Sequence, residues 1–330
     1  PFYRQEREFE RYGVHISRQD MANWTIQCAE RYLAIMYDYL HSKLYTFSVL
    51  QADETTVFVN KDGRPAGSKS YMWLYRTVES VQKEQILLYE YQKTRNSNHP
   101  RTFLKSFHGI CITDGYQVYH TLEQEREDLQ IAGCWAHVRR RYDEALKALP
   151  KEKRNQSTAH RGLVMIQAIY RNEKPLKELS AEERRERRQL SVKPLVEAYF
   201  TWVHATIGQV MPKSKLWEGL NYSINQERYL KVFLENGNVP IDNNASERSI
   251  RSFCIGRKNF VMIDTLHGAA ASAIIYSIAE TAKANGLKPY EYFELLLTEI
   301  PKHLDDDDLN FCEKLLPWSK DLPEKCRKKQ

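Results

Sequence analysis

The change of hydrophobic period near Phe47 constrains the fold more than any other feature of this 330-residue sequence. Residues before it follow helical patterns. After it come three β-favouring segments joined by short turns, at 49–59, 71–77 and 85–91. Two further strands are predicted at 110–113 and 129–136, alternating with helices at 101–108, 115–124 and 138–149. The predicted order of elements is β-β-β-α-β-α-β-α.

This order predicts an α/β protein with a mixed sheet, because strands joined by tight turns pair antiparallel and strands separated by helices pair parallel. It is the order of a ribonuclease-H-like fold. The long segment that follows carries helical patterns alone and predicts an all-helical insertion between helical N- and C-terminal segments. We expect five segments: a helical, helix-turn-helix-like segment at 1–46, a ribonuclease-H-like core at 47–150, the helical insertion at 151–240, a further helix of the core at 241–265, and a C-terminal helical region with a loose tail at 266–330.

Charge is concentrated in a few places. The net charge is +6, from 49 Lys and Arg against 43 Asp and Glu, which permits a polyanionic partner. Within 182–188 the two signs mix at helical spacing, a pattern typical of a solvated helix face. The runs Arg139–Arg141 and Arg248–Lys258 flank the candidate site described below, and their position favours contacts with phosphates.

Cysteine usage and hydropathy bear on the compartment. The six cysteines are scattered without a C-x-x-C pair, which is typical of a reducing, cytoplasmic protein. The longest apolar stretch, residues 269–279, is too short to cross a bilayer, so we expect no membrane partner. The chain opens at Pro1 without an initiator Met, from which we expect a fragment of a longer protein.

Two acids in the predicted strands are candidate metal ligands. Asp53 lies within the first predicted strand, where acids are uncommon, and Asp114 ends the fourth. If these strands are neighbours, their carboxylates meet at the strand ends and repel each other unless a cation joins them. Mg²⁺ prefers such oxygen ligands. Glu54 points to the opposite face from Asp53 and is the poorer ligand, and an Asp before Gly115 is also typical of a plain turn.

A third acid is available further along the chain. Glu247 opens a predicted helix, but Asn244 and Glu247 also form a capping-box pattern that gives Glu247 a purely structural alternative role. Asp242 is the other candidate, and spacing alone leaves both open. Cys134 and His137 form a C-x-x-H pair without a second ligand pair at suitable spacing. We therefore expect a packed cysteine at a strand end rather than a zinc site.

Six blocks of sequence occur together in one order. They are Asp53-Glu54-Thr55, Met72-Trp73-Leu74-Tyr75-Arg76, Thr113-Asp114-Gly115-Tyr116, Gly133-Cys134-Trp135-Ala136-His137-Val138-Arg139-Arg140, Asp242-Asn243-Asn244-Ala245-Ser246-Glu247-Arg248-Ser249-Ile250-Arg251 and Gly256-Arg257-Lys258-Asn259. With these blocks the chain resembles the insertion-sequence-66 family of bacterial DDE transposases, from its first residues to about Leu297.

The resemblance implies a DNA transposase that cleaves a strand and transfers its 3′-hydroxyl by two-metal phosphoryl transfer, with Mg²⁺ or Mn²⁺ as cofactor. It implies Asp53, Asp114 and Glu247 as catalytic residues and metal ligands, which favours Glu247 over Asp242. The basic residues expected to bind DNA are Arg139, Arg140, Arg248, Arg251, Arg257 and Lys258. The implied partners are double-stranded element ends and target DNA, held by a homo-oligomer that is associated with the bacterial nucleoid in the cytoplasm.

Three alternatives stay open at this point. One is a catalytically inactive, DNA-binding transposase relic. Another is a different nuclease on the ribonuclease-H-like fold, which would cleave DNA or RNA without joining a 3′ end to a new strand. The third is a helical partner-binding protein whose sheet is only structural.

Overall fold

The structure, a computed structural model, describes residues 1–65, 67–79 and 83–328. Its strands are β1 (Val49–Lys61), β2 (Lys69–Thr77), β3 (Leu87–Gln92), β4 (Gly109–Thr113), β5 (Leu129–Gly133) and β6 (Ile263–Thr265). Its helices are α1 (Phe2–Arg11), α2 (Arg18–Cys28), α3 (Ala34–Leu44), α4 (Asn98–Phe103), α5 (Gln117–Glu125), α6 (Trp135–Lys147), α7 (Thr158–Glu173), α8 (Ala181–Arg187), α9 (Lys193–Ile207), α10 (Lys215–Glu235), α11 (Asn244–Phe260), α12 (Leu266–Ala284), α13 (Pro289–Glu299) and α14 (Phe311–Leu315). From β1 to α6 the order is the predicted β-β-β-α-β-α-β-α, so the chain is a mixed α/β protein.

The chain folds into two compact units. The first contains residues 1–108 and 246–330, and the second contains residues 109–245. The five segments expected from the sequence stay a prediction, and their residues 66, 80–82 and 329–330 lie outside the described part of the chain. Every described helix is too short or too polar to span a membrane.

The sheet of the first unit is built around β2, which pairs antiparallel with β1 on one side and with β3 on the other. Asp53 lies opposite Leu74, and Leu74 lies opposite Tyr89. Strand β6 runs parallel to the end of β1, with Ile263 opposite Val59. Strand β6 was not predicted from the sequence, because three residues are too few to carry a recognisable alternation.

One face of this sheet is covered by α11 and α12. Side chains that lie directly opposite each other on neighbouring strands share a face. The face with Leu74 and Tyr89 forms one buried cluster with Ile250 and Phe253 of α11 and Ala273 of α12. Asp53 belongs to the same face, because it lies opposite Leu74.

Helix α12 also binds the backbone of β3. Ser277 Oγ accepts a hydrogen bond from Tyr89 N at 2.7 Å, and Thr281 Oγ1 accepts one from Leu87 N at 3.0 Å. The Thr281 hydroxyl donates to the Leu87 carbonyl oxygen, also at 3.0 Å. The two hydroxyls are one helical turn apart, and their partners are two positions apart along β3. These two distances are similar, so the hydroxyls are spaced like the backbone groups that they bind. Side chains therefore take the place of a further strand beside β3.

The second unit has a parallel pair of strands, β4 and β5, with Thr113 opposite Gly133. Trp135, the first residue of α6, is fully buried, and its Nε1 donates to the Leu230 carbonyl oxygen of α10 at 2.9 Å. Its ring meets Tyr199 of α9 edge-on. The predicted all-helical character of 151–240 is confirmed, and its helices α9 and α10 share a core with α6.

Two arginines of the run 182–188 contradict the predicted solvated helix face. Arg184 is 7% exposed and donates to the Gly237 carbonyl oxygen at 2.8 Å. Arg188 is 1% exposed, pairs with Glu173 at 2.5 Å and donates to the Asn236 carbonyl oxygen at 2.9 Å. Both guanidinium groups therefore satisfy carbonyl groups where α10 ends. The mixed-sign pattern is the same for an exposed helix, so the sequence alone could not reveal this burial.

The C-terminal segment is packed from Phe311 onward, and the prediction of a loose tail is wrong for residues 311–328. Cys312, Leu315 and Leu322 are buried, and Tyr292 Oη of α13 donates to the Leu315 carbonyl oxygen at 2.7 Å. Lys288 N donates to the Cys326 carbonyl oxygen at 2.8 Å. The acidic run and the prolines hid these apolar positions, which are too widely spaced to form a periodic pattern.

Candidate active site

Asp53 lies within β1, two residues before the middle of the strand. Its side chain is half-buried, and Oδ1 accepts a hydrogen bond from Glu54 N at 2.9 Å. Glu54 points to the other face, where its carboxylate is 5% exposed and pairs with Arg95. The predicted separation of the two acids is confirmed. Glu54 is engaged in a partly buried ion pair, whereas Asp53 lies on the face covered by α11.

Two sets of contacts hold α11 against β1 and β2, one on each side of Asp53 along the strand. Arg76, opposite Gln51, donates from Nη1 to Ser249 Oγ at 3.0 Å. Arg257 donates from Nη1 to Thr55 Oγ1 at 3.0 Å and to the Thr56 carbonyl oxygen. Glu247 lies in the first turn of α11, two residues before Ser249. Asp53 and the helix that carries Glu247 therefore lie on the same face of the sheet in the first unit.

Asp114 follows β4 directly and belongs to the second unit. Its Oδ1 accepts a hydrogen bond from Tyr116 N at 2.9 Å, which closes a turn through the side chain. Gly115 has a φ of +87°, in the left-handed region that favours glycine. The backbone oxygen of Asp114 accepts a hydrogen bond from Tyr222 Oη of α10 at 2.6 Å. A structural role of Asp114 in this turn is compatible with a role as metal ligand, since the turn leaves the carboxylate half-buried at the end of a strand.

Asp242 also lies in the second unit. Its Oδ2 accepts hydrogen bonds from Tyr170 Oη at 3.1 Å and from Asn244 Nδ2 at 2.7 Å. Its Oδ1 accepts one from Asn244 N at 3.1 Å. These contacts tie the segment before α11 to α7 and give the Asp242 carboxylate a structural role.

Cys134 is fully buried at the start of α6, and its Sγ accepts a hydrogen bond from Asn243 N at 3.2 Å. Burial raises the pKa of the Cys134 thiol to about 12, so the thiol keeps its proton at neutral pH. The predicted packed cysteine at a strand end, with His137 in the first turn of the next helix, is confirmed.

The basic candidates fall into two groups. Five are exposed: Arg139 and Arg140 on α6, and Arg248, Arg251 and Lys258 on α11. Arg257 is half-buried and donates into β1, so it holds the fold as well. Contact of these residues with DNA stays a prediction.

Among the residues that the structure describes, no group of three or more His, Cys, Asp and Glu side chains is arranged to hold a metal ion. Asp53 and Glu247 belong to the first unit and Asp114 to the second. The donor chemistry nevertheless fits a divalent cation, because Mg²⁺ takes hard carboxylate oxygens. The joining of the three acids by one metal site stays a prediction.

Comparison with known proteins gives the family. The profile described as Transposase IS66 family matches residues 1–271, and the one described as IS66 C-terminal element matches residues 277–318. The chain belongs to the IS66 transposase family. The resemblance carried by the six sequence blocks is thereby confirmed.

Three proteins of Sinorhizobium fredii (strain NBRC 101917 / NGR234) are similar to this IS66-family chain over almost its whole length. The uncharacterized protein y4qI is 29% identical over 329 residues, which cover 97% of this chain and 59% of y4qI. The uncharacterized protein y4jD is 26% identical over 327 residues, which cover 97% of this chain and 62% of y4jD. The chain spans about three fifths of the length of these curated relatives.

Two residues of the site were not identified from the sequence. Arg76 was only part of a family block, and the structure shows its guanidinium bound to Ser249, to Gln85 Oε1 at 3.0 Å and to the Thr77 carbonyl oxygen at 3.1 Å. An arginine inside an apolar strand was the available signal, since such a charge needs partners. Tyr222 carried no signal, because 108 residues separate it from Asp114.

Proposed function

We propose that this chain is the catalytic part of a DDE transposase with a ribonuclease-H-like core, which cleaves a DNA strand and transfers its 3′-hydroxyl. One observation carries the proposal: α11 is bound on both sides of Asp53, and Glu247 lies in its first turn. Membership in the IS66 transposase family supports this assignment.

The proposed triad is Asp53, Asp114 and Glu247, which would hold two Mg²⁺ or Mn²⁺ ions. When bound, such ions supply activation of the attacking oxygen and stabilisation of the leaving oxygen. The chain's own part is to fix the carboxylates on a strand, a turn and a helix, so that little reorganisation is needed during the reaction. Exposed arginines of α6 and α11 would bind backbone phosphates of the element end and the target.

Glu247 is a better third ligand than Asp242. Both Asp242 oxygens accept hydrogen bonds from Tyr170 or Asn244, which lowers the capacity of this carboxylate for a metal. Glu247 belongs to the helix that is bound to the strand of Asp53. The transposition complex would contain more than one copy of the chain and both DNA partners.

The test is Asp53→Asn, with Asp307→Asn as control because Asp307 is exposed in the acidic run. The substrate is a labelled element-end duplex with a target plasmid, in Mg²⁺ or Mn²⁺. We expect Asp53→Asn to lower strand cleavage and strand joining by at least about 10³-fold, since each step needs the metal-bound carboxylate. The control should react like the wild type, and both variants should unfold at the same temperature.

The products separate the proposal from its alternatives. Cleavage without any joined strand would identify a nuclease of the same fold. DNA binding with neither product in the wild type would identify an inactive relic. Normal joining by Asp53→Asn would contradict the assignment of the triad.

A further inference from the structure

Helix α10, in the helical insertion, is fitted to the turn that carries Asp114. Tyr222 Oη donates to the Asp114 backbone oxygen at 2.6 Å. A Cβ atom at Gly115 would lie 2.8 Å from Gln226 Oε1 and 2.9 Å from Tyr222 Oη, distances that real Cβ atoms essentially never show. Gly115 therefore packs closely against two side chains of α10 that lie one turn apart, and one of them, Tyr222, binds the carbonyl group of Asp114.

Tyr222 is itself held in place. The guanidinium of Arg141 lies over its ring, 5.2 Å from the centroid, in a cation–π contact. This contact fixes the position of the hydroxyl that donates to Asp114.

The backbone contact also governs the Asp114 carboxylate. Its Oδ1 accepts a hydrogen bond from Tyr116 N, so the side chain is tied to the same turn as the backbone oxygen that Tyr222 binds. A shift of the turn would therefore shift the carboxylate with it.

We propose that Tyr222 is a positioning residue for Asp114, and that the helical insertion thereby forms part of the active site. This inference rests on the proposed function, in which Asp114 is a metal ligand. Partners that orient a metal ligand without touching the metal commonly change metal affinity 10–100-fold when they are removed.

The experiment compares the full chain with Tyr222→Phe, which removes the hydroxyl and keeps the ring beneath Arg141. Tyr229→Phe is the matched control, because Tyr229 is on the same helix with its ring stacked on His120. Asp114→Asn is the reference for loss of the metal ligand. For each protein, bound to an element-end duplex, the unfolding temperature is measured in EDTA and across a Mn²⁺ titration, and strand cleavage is followed over the same titration.

We expect Tyr222→Phe to unfold in EDTA at the same temperature as Tyr229→Phe. The Mn²⁺ concentration for half-maximal stabilisation should rise about 10–100-fold, and high Mn²⁺ should restore most of the cleavage rate. If Tyr222→Phe needed the same Mn²⁺ concentration for half-maximal stabilisation as the wild type, the positioning role would be overturned and the proposed function left intact. An identical Mn²⁺ response in the wild type and Asp114→Asn would overturn the metal role of Asp114, and both proposals with it.

Discussion

Glu90 on β3 carries a largely buried carboxyl group whose protonation is coupled to folding. Glu90 lies opposite Trp73, on the face of the sheet that also bears Glu54. Its Oε1 accepts a hydrogen bond from Gln92 Nε2 at 2.9 Å, whereas its Oε2 is buried and has no hydrogen-bond partner among the residues that the structure describes. Burial raises the pKa of Glu90 from 4.5 to about 7. The folded protein therefore favours the protonated form of this carboxyl.

The sign of the resulting pH dependence follows from the two states. Between about pH 4.5 and 7 the folded chain keeps a proton on Glu90 that the unfolded chain releases, so stability falls as pH rises through this window. The shift corresponds to about 3 kcal/mol. We expect Glu90→Gln to remove this loss and to unfold at higher urea concentration than the wild type at pH 8. The measurement is the urea midpoint at pH 5 and pH 8.

Glu127→Gln is the control for this prediction, because Glu127 is exposed and its replacement should leave the pH dependence unchanged. An equal fall in stability from pH 5 to pH 8 in the wild type and in Glu90→Gln would contradict the argument.

At the scale of elements, the first unit is held together by helices bound to strands through side-chain hydroxyls and guanidinium groups. Helix α11 is bound through Ser249 and Arg257, and α12 is bound through Ser277 and Thr281. Asn285, at the end of α12, accepts a hydrogen bond from Gln85 N, and Gln85 Oε1 in turn accepts one from Arg76. The IS66 C-terminal element is therefore connected by hydrogen bonds to the helix that carries Glu247.

Thr281→Val tests the binding of α12 to β3. Valine keeps the shape of threonine but cannot bind the N–H and C=O groups of Leu87, which is buried. Leaving such groups unsatisfied costs about 1–3 kcal/mol. We expect the free energy of unfolding to fall by this amount and the Leu87 amide to exchange its hydrogen faster.

Thr298→Val on α13 is the matched control, because the Thr298 hydroxyl is exposed and bonds within its own helix. Unchanged exchange at Leu87 in Thr281→Val would show that these hydroxyls do not hold the strand.

At the scale of the whole molecule, the basic residues are expected to act together on DNA. Arg251 and Lys258 are exposed on α11, whereas Arg257 is engaged with β1. Replacement of Arg251 and Lys258 by Gln therefore removes two candidate phosphate contacts without touching the Thr55 and Thr56 contacts. We expect weaker binding to a random-sequence duplex and a salt dependence of log K that is shallower by about 2, measured by titration at several salt concentrations.

The control for charge alone is the pair Arg185→Gln and Arg187→Gln, since both residues are exposed on α8. This variant loses the same two charges. A salt dependence that falls equally in both variants would mean that net charge, and not the α11 surface, determines DNA binding.

Local patterns predicted most of the fold and two features of the candidate site. Alternation along β1 placed Asp53 and Glu54 on opposite faces, and turn chemistry placed Asp114 at the end of a strand. Contacts between segments that are distant in the sequence could not be predicted from local patterns. The sequence around Arg188 predicts a surface charge, whereas in the structure Glu173 and the end of α10 enclose its side chain. No local sequence pattern at Tyr222 indicates its contact with Asp114. The resemblance to a family supplied the third acid, which spacing could not choose.

The hydroxyls of Ser277 and Thr281 have a consequence for how copies of this chain can associate. An outer strand with open backbone groups is a template on which another molecule's strand can be added. Here α12 occupies those groups at Leu87 and Tyr89. If copies of this chain assemble on DNA ends as proposed, they would therefore not do so by adding a strand at these backbone groups of β3.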